Sequence, residues 1–220
     1  FAENLFTLFI CYEILTLSTY PLVAHHKNDE ARRAGRTYLG ILLGSSIILF
    51  LPAIIATWVF TDTLSFATGG IMTGKVPHVI GSVLLLLYLY GIGKAALMPI
   101  HRWLPAAMVA PTPVSALLHA VAVVKAGVFT IVKVAVYIFG LDYLRELALA
   151  DIALYLAGFT IIVASIVALR QDNLKRRLAY STVSQLSYVI LAALILSPLS
   201  TMGAALHIAV HAFGKITLFM

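Results

Sequence analysis

The chain has 220 residues, 61% of them hydrophobic and only 11% charged, with a mean hydropathy of +1.00; soluble domains run near a quarter charged, so a water-facing fold could not hide this much apolar surface. The net charge of +6 raises nucleic acid as a partner, but the cations are spread over short loops and apolar runs and form no basic stripe with stacking aromatics, which argues against it. The single cysteine, Cys11, leaves no internal disulfide and no all-cysteine metal site, and its apolar surroundings give it a packing role.

Apolar runs of about twenty residues recur along the chain, each long enough at about 1.5 Å per residue to cross roughly 30 Å of hydrocarbon. They predict spans near 4–24, 37–60, 76–98, 112–139, 151–170, 178–197 and 203–220. The connecting loops are short and none is of low complexity, so residues 1–220 read as one all-α, polytopic membrane domain of about seven transmembrane helices. No cleavable signal sequence is evident at Phe1, and the last run stops without a cap or polar flank. Both ends therefore read as those of a piece of a longer membrane protein.

The first span carries Glu13 midway, about 15 Å from either end and too deep to reach water. The loop after it holds Lys27, Arg32, Arg33 and Arg36; the loop after the third span holds Arg102, and the loop after the fifth holds Arg170, Lys175, Arg176 and Arg177. The opposite loops hold only Lys75 and Arg145. Nine cations against two, on strictly alternating loops, place the first group on the inner side, and a miscount of one helix would destroy the pattern.

The third span carries Lys94 just before Pro99, Pro105, Pro111 and Pro113. Proline cannot continue a helix from its interior, so the chain must break between Lys94 and Pro105, with a short half-helix at the membrane edge and Trp103 at headgroup level. Discontinuous helices in transporters commonly mark the ion site. In the fourth span Lys125 is central, His119 precedes it by six residues, and Lys133 lies two turns beyond. Lys133 is either a pathway residue or a cation that reaches the outer interface through its long stem. The last span places His207, His211 and Lys215 at i, i+4 and i+8 on one stripe. Such a stripe suits a proton relay or a set of inert buried histidines; it also has metal-ligand spacing, but the glutamate of the H-E-x-x-H zinc motif and a third ligand are missing.

Each charge buried in a span costs about 2.5–3.5 kcal/mol unless paired or hydrated. Glu13, Lys94, Lys125 and Lys215 together are therefore an expense on the order of 10 kcal/mol, which points to use. Lysine suits proton transfer because its protonation responds both to solvation and to a nearby carboxylate. Gly91-Ile92-Gly93-Lys94 resembles the end of a phosphate-binding loop, but Ala95 stands where Ser or Thr is needed. No nucleophile elbow, catalytic carboxylate pair or dinucleotide fingerprint is visible, and no cofactor is implied, so any redox reaction belongs to a partner subunit.

Two stretches form a signature. The first runs from Gly93-Lys94-Ala95-Ala96 through Pro99-Ile100-His101-Arg102-Trp103-Leu104-Pro105 and Ala110-Pro111-Thr112-Pro113-Val114-Ser115-Ala116-Leu117-Leu118-His119-Ala120 to Val124-Lys125-Ala126-Gly127. The second runs from Asp172-Asn173-Leu174-Lys175-Arg176-Arg177 to Ser184-Gln185. Together they resemble the antiporter-like subunits shared by respiratory complex I (NADH:quinone oxidoreductase) and the multisubunit cation/proton antiporters. The resemblance implies an inverted-repeat transporter architecture of about fourteen helices, of which this chain covers a middle part. It implies that Glu13 is the family's buried glutamate, Lys94 the lysine paired with it beside the broken helix, and Lys125 the central connecting lysine. His119, His207, His211 and Lys215 match polar residues of the membrane-plane axis, and Lys133 stands where relatives often carry arginine. Trp103-Leu104-Pro105-Ala106-Ala107 lacks the aspartate of many complex I members and looks more like antiporter subunits of the D type. The implied partners are other membrane subunits, the lipid bilayer, and H+ with Na+ as a second ion; the implied location is a bacterial inner membrane. The alternatives are a proton-pumping subunit of a quinone oxidoreductase or membrane-bound hydrogenase, and a non-translocating anchor whose charges hold neighbours in register.

Overall fold

The computed structural model describes residues 2–26 and 28–219. Lys27, one of the inner-loop cations, lies outside the described residues. Helix α1 spans Leu5–Val23 and starts at Asn4, whose side chain accepts a hydrogen bond from the Thr7 amide at 2.8 Å. Helix α2 (Asp29–Ser45) starts at Asn28, which caps the Ala31 amide at 2.7 Å, and Asp29 and Glu30 in its first turn complement the helix dipole. It runs through a π turn at Ser46–Phe50 into α3 (Leu51–Thr61), so that one rod of 33 residues replaces the expected span of 37–60. The strong cap at Asn28 draws Arg32, Arg33 and Arg36 onto the helix and out of the loop.

Helix α4 (His78–Gly91) has 14 residues, about 21 Å of rise, which is too short to cross alone. An irregular segment follows, then α5 (Trp103–Ala106) and α6 (Thr112–Ala116), which continues through a π turn at Leu117–Val121 into α7 (Val123–Val134) and a further π turn at Ala135–Phe139. The short α8 (Leu141–Arg145) leads to α9 (Ala148–Leu169), α10 (Leu174–Leu194) and α11 (Pro198–Phe219).

Among the described residues five helical rods are long and apolar enough to cross a membrane. Besides the short α4, the remaining rod is α10, whose 21 residues include Ser181, Thr182, Ser184, Gln185 and Ser187. Thr182, Ser184 and Ser187 are buried, and Ser184 meets Ser165 of α9 at 2.9 Å. Helix α10 packs along α9 and against α11 and α7, so its polar side chains are satisfied by protein and the helix need not be apolar all round. The outer surface of the bundle is made of side chains such as Ile14, Leu17, Ile48, Ile55, Ile162, Leu169, Leu206 and Phe213, all exposed, as lipid contact requires.

The loops sort into two ends, as the charge alternation predicts. At one end Arg33, Pro105 to Val109, Asn173, Lys175 and Arg176 line a common cavity, and Lys175 Nζ donates to the Ala110 carbonyl at 3.1 Å. At the other, the Ile71 amide donates to the Ile138 carbonyl at 2.8 Å, Tyr143 Oη to the Val76 carbonyl at 2.9 Å, and Arg145 to the Leu196 carbonyl at 2.6 Å.

The third crossing is interrupted, as its prolines predict, but the break begins at Ile92 and not at Pro99. A 3-10 turn at Gly93–Ala95 is followed by Ala96 in the left-handed region at φ 55° and by a second 3-10 turn at Ile100–Arg102. Close approach explains the early break. A β-carbon on Gly91 would stand 2.5 Å from the Phe50 amide, and one on Gly127 of α7 would stand 2.4 Å from the Ala95 amide. Glycine lets these backbones meet where any side chain would hold them apart. Cys11, expected in the packing, is exposed on the outer face of α1.

Candidate functional site

The early break carries Lys94 into the bundle, where it is fully buried against α1 and α7. Its backbone amide donates to Tyr12 Oη at 3.0 Å, its ammonium donates to the Tyr12 carbonyl, and that ammonium sits 3.4 Å from the centre of the Tyr12 ring. Backbone and side chain thus dock on one residue, and the tether holds Nζ at the level of the Tyr12 carbonyl. Glu13 is the next residue along α1. Both its carboxylate oxygens are buried and lack a hydrogen-bond partner.

Among the described residues the ion pairs within 4.0 Å are Arg145–Asp142 and His78–Glu146. The expected contact between Glu13 and Lys94 is therefore not made: the two charges are neighbours through Tyr12 without touching. Trp103 also departs from expectation. It is fully buried instead of lying at headgroup level, its Nε1 donates to the Gly93 carbonyl at 2.9 Å, and its ring meets Tyr38 edge-on at 5.5 Å. That indole clamps the irregular segment by taking up a carbonyl freed where the helix ends.

Lys94 and Lys125 are joined through α7, because Gly127 lies directly on the Lys94 backbone, two residues past Lys125. Lys125 is buried, and its ammonium contacts Nδ1 of His211. The imidazole can accept that hydrogen bond only in the tautomer that carries its proton on Nε2. The Nε2 atoms of His211 and His207 lack partners, and the two rings stack at 5.9 Å and 7°. One turn toward the inner end, Lys215 is buried and donates to the Leu178 carbonyl of α10 at 3.0 Å.

Two predicted residues stand apart from these contacts. His119 lies in the π turn that precedes α7, is fully buried with both ring nitrogens unpartnered, and has its ring 5.8 Å from that of Phe219. Lys133 is held toward the outer end, where it donates to the Ala2 carbonyl at 3.1 Å and sits 3.9 Å from the Phe66 ring centre. Sequence reasoning missed Tyr12 and Gly127. Adjacency to Glu13 was the one signal for Tyr12, and a glycine two residues past a buried lysine the one signal for Gly127.

The site is thus a succession of titratable side chains at mid-depth from α1 to α11, with lysines that rest on neutral acceptors, two carbonyls and an imidazole. A protonated lysine on a neutral acceptor can give up its proton without leaving an unpaired carboxylate behind. A proton moving along such a chain shifts charge between groups already in place.

Known proteins share this outline. The sequence profile of the family described as NADH:quinone oxidoreductase/Mrp antiporter, transmembrane, matches residues 2–220. The chain is 33% identical over 231 residues to the chloroplastic NAD(P)H-quinone oxidoreductase subunit 5 of Carpenteria californica, covering 100% of this chain and 29% of that protein. It is 33% identical over 222 residues to a probable K(+)/H(+) antiporter protein of the A/B type from Rhizobium meliloti (strain 1021), covering 99% of this chain and 21% of the relative. Among solved structures, the Mrp complex from Dietzia sp. DQ12-45-1b superposes with a TM-score of 0.86 at 28% identity, over 99% of this chain and 24% of the matched chain. The chain therefore spans less than a third of the length of these relatives.

Proposed function

The chain belongs to the NADH:quinone oxidoreductase/Mrp antiporter transmembrane family, and from that premise we propose that residues 1–220 form one ion-conducting domain of a multisubunit cation/proton antiporter. In this reading H+ moves at mid-depth along Glu13, Lys94, Lys125, His211 and His207, and Lys215 connects the line to the inner side. His119 supplies a buried polar group beside it. Na+ is the second candidate ion, but a line made of three lysines, two histidines and one carboxylate offers mainly nitrogen, and hard cations prefer oxygen. The observation that carries the reading is the contact between Lys125 and His211 across two helices. A cation retained only for docking would need a carboxylate partner, whereas this one rests on a group able to take its proton.

The partners proposed are further membrane subunits, and the location proposed is a bacterial inner membrane. The Trp103-Leu104-Pro105-Ala106-Ala107 string supports an antiporter subunit of the D type. A second reading, the proton-pumping subunit of a quinone oxidoreductase, is favoured by the similarity to chloroplastic subunit 5. Redox subunits that co-purify with the chain would select it, and the same side chains would then serve.

Lys125→Ala in the assembled complex tests both readings against that of a passive anchor. Removing a lone buried cation relieves an insertion cost of about 2.5–3.5 kcal/mol, so assembly should persist while proton movement in vesicles, followed by a pH-sensitive dye, falls at least about tenfold. Lys125→Arg should fail similarly, because guanidinium does not release its proton near neutrality. Near-normal proton movement in both variants would return Lys125 to a structural role.

A further inference from the structure

The face of α2 turned toward the broken segment carries Arg33, Thr37, Gly40, Ile41, Gly44 and Ile48. These recur every three or four residues and form one stripe. At its inner end a cavity of about 570 Å³ is bounded by Glu30, Arg33 and Thr37 of α2, by Pro105 to Val109, and by Asn173, Lys175 and Arg176 at the start of α10. One turn deeper, an apolar groove of about 450 Å³ runs over Gly40, Gly44 and Ile48, with Pro99 and Ile100 as its far wall. A further 350 Å³ continues it onto α4, past Leu86 and Tyr90.

Two observations say what fits. The guanidinium groups of Arg33 and Arg176 have no acceptor among the described residues, and Lys175 makes a third cation against the single carboxylate of Glu30. β-carbons built on Gly40 and Gly44 meet nothing within 4 Å, so these glycines leave the groove open instead of admitting a neighbouring backbone. From the inner edge inward the lining passes from cationic, through the Thr37 hydroxyl, to apolar. The rise from Arg33 to Ile48 is about 22 Å, which is one leaflet with its headgroups, half of a bilayer about 40–45 Å thick.

We propose that this groove holds one anionic phospholipid of the inner leaflet, its phosphate between Arg33 and Arg176 and an acyl chain over Gly40 and Gly44 against the broken helix. Arginine forks match phosphate oxygens in pairs. A transmembrane helix on the same face would leave the cations unpaired, and its diameter of about 10–12 Å exceeds a groove whose mean section is about 30 Å² over the rise from Gly40 to Leu49.

The test is native mass spectrometry of the assembled complex in mild detergent, with phosphatidylglycerol or phosphatidylcholine added. The wild type should retain phosphatidylglycerol in preference to phosphatidylcholine. Arg33→Gln with Arg176→Gln should lower its retention on the order of tenfold, since each basic residue near an anionic headgroup contributes about that scale when taken in pairs. Gly44→Leu fills the groove without touching the cations, improves helix propensity, and should lower retention to a similar degree. Unchanged retention in both variants would overturn the proposal. So would loss of a neighbouring subunit in Gly44→Leu with lipid retention intact, which identifies a helix-packing face, or competition by inorganic phosphate with no effect of Gly44→Leu, which identifies a free-anion site.

Discussion

Lys94 and Lys125 are both buried near mid-depth, yet the molecule holds them by different means. Lys94 sits in irregular backbone between a tyrosine and a glycine, with its ammonium on a main-chain carbonyl and an aromatic face and its acid one residue away. Lys125 sits on regular helix and meets a histidine from another regular helix, whose ring stacks on the next histidine of the same stripe. The first lysine is fixed by main-chain geometry. The second depends on side chains alone, so its surroundings can be changed with little consequence for the fold. Broken helices place polar backbone where a membrane otherwise forbids it, whereas helical stripes place side chains in series.

The largest expected effect would break the comparison at its backbone end. Gly127→Val puts a branched side chain where even a β-carbon would lie 2.4 Å from the Ala95 amide. Overpacking of that kind costs about 3 kcal/mol or more, so folded protein should be largely lost, as read by size-exclusion chromatography of the detergent extract. Full recovery of a monodisperse, thermally normal variant would show that the backbone contact is not tight.

Next in size, His211→Phe keeps the ring volume and removes the acceptor for Lys125. Proton movement in vesicles should fall at least about tenfold with folding intact, and combination with Lys125→Ala should add little, because residues acting as one unit are not additive. Independent, multiplying losses would mean that the two side chains do not work together.

Tyr12→Phe is a milder probe of the other end. It leaves the ring and the carbonyl beneath Lys94 but orphans the buried Lys94 amide, a loss of about 1–3 kcal/mol. The melting temperature should drop while proton movement persists in the folded fraction. Normal melting with abolished transport would give the phenol hydroxyl a direct part in the path.

The smallest change is expected for Lys133→Met. This half-buried lysine bonds to Ala2 and Phe66 near the outer end and has no contact with His211 or Lys94. Stability should shift by less than about 1 kcal/mol, and proton movement should stay within about twofold, since removal of one peripheral cation alters the local field only slightly. A tenfold fall would move the line outward to include it.

Much of this was legible in the sequence. Hydropathy and alternating loop charge report solvation, which is local to each segment, so they gave the membrane class, the order of the crossings and the two ends where the loops meet. The prolines announced the break, and the unaccompanied charges in apolar runs marked Glu13, Lys94, Lys125, His211 and Lys215 for attention.

What the tertiary structure decided is which groups face one another. The break begins at Ile92 because α4 meets the Phe50 backbone at Gly91, a contact between residues 41 positions apart that no local pattern encodes. A π turn at Leu117–Val121 changes the rotation of the fourth span, setting His119 beside Phe219 while Lys125 meets His211; a regular helical wheel drawn through both residues misplaces one of them. Lys94 binds the Tyr12 carbonyl and not Glu13 because its own backbone is already docked on the Tyr12 hydroxyl. Burial cost depends on the residue and its depth, and sequence states both. A partner depends on helix rotation and separation, and those are fixed only when the rods pack.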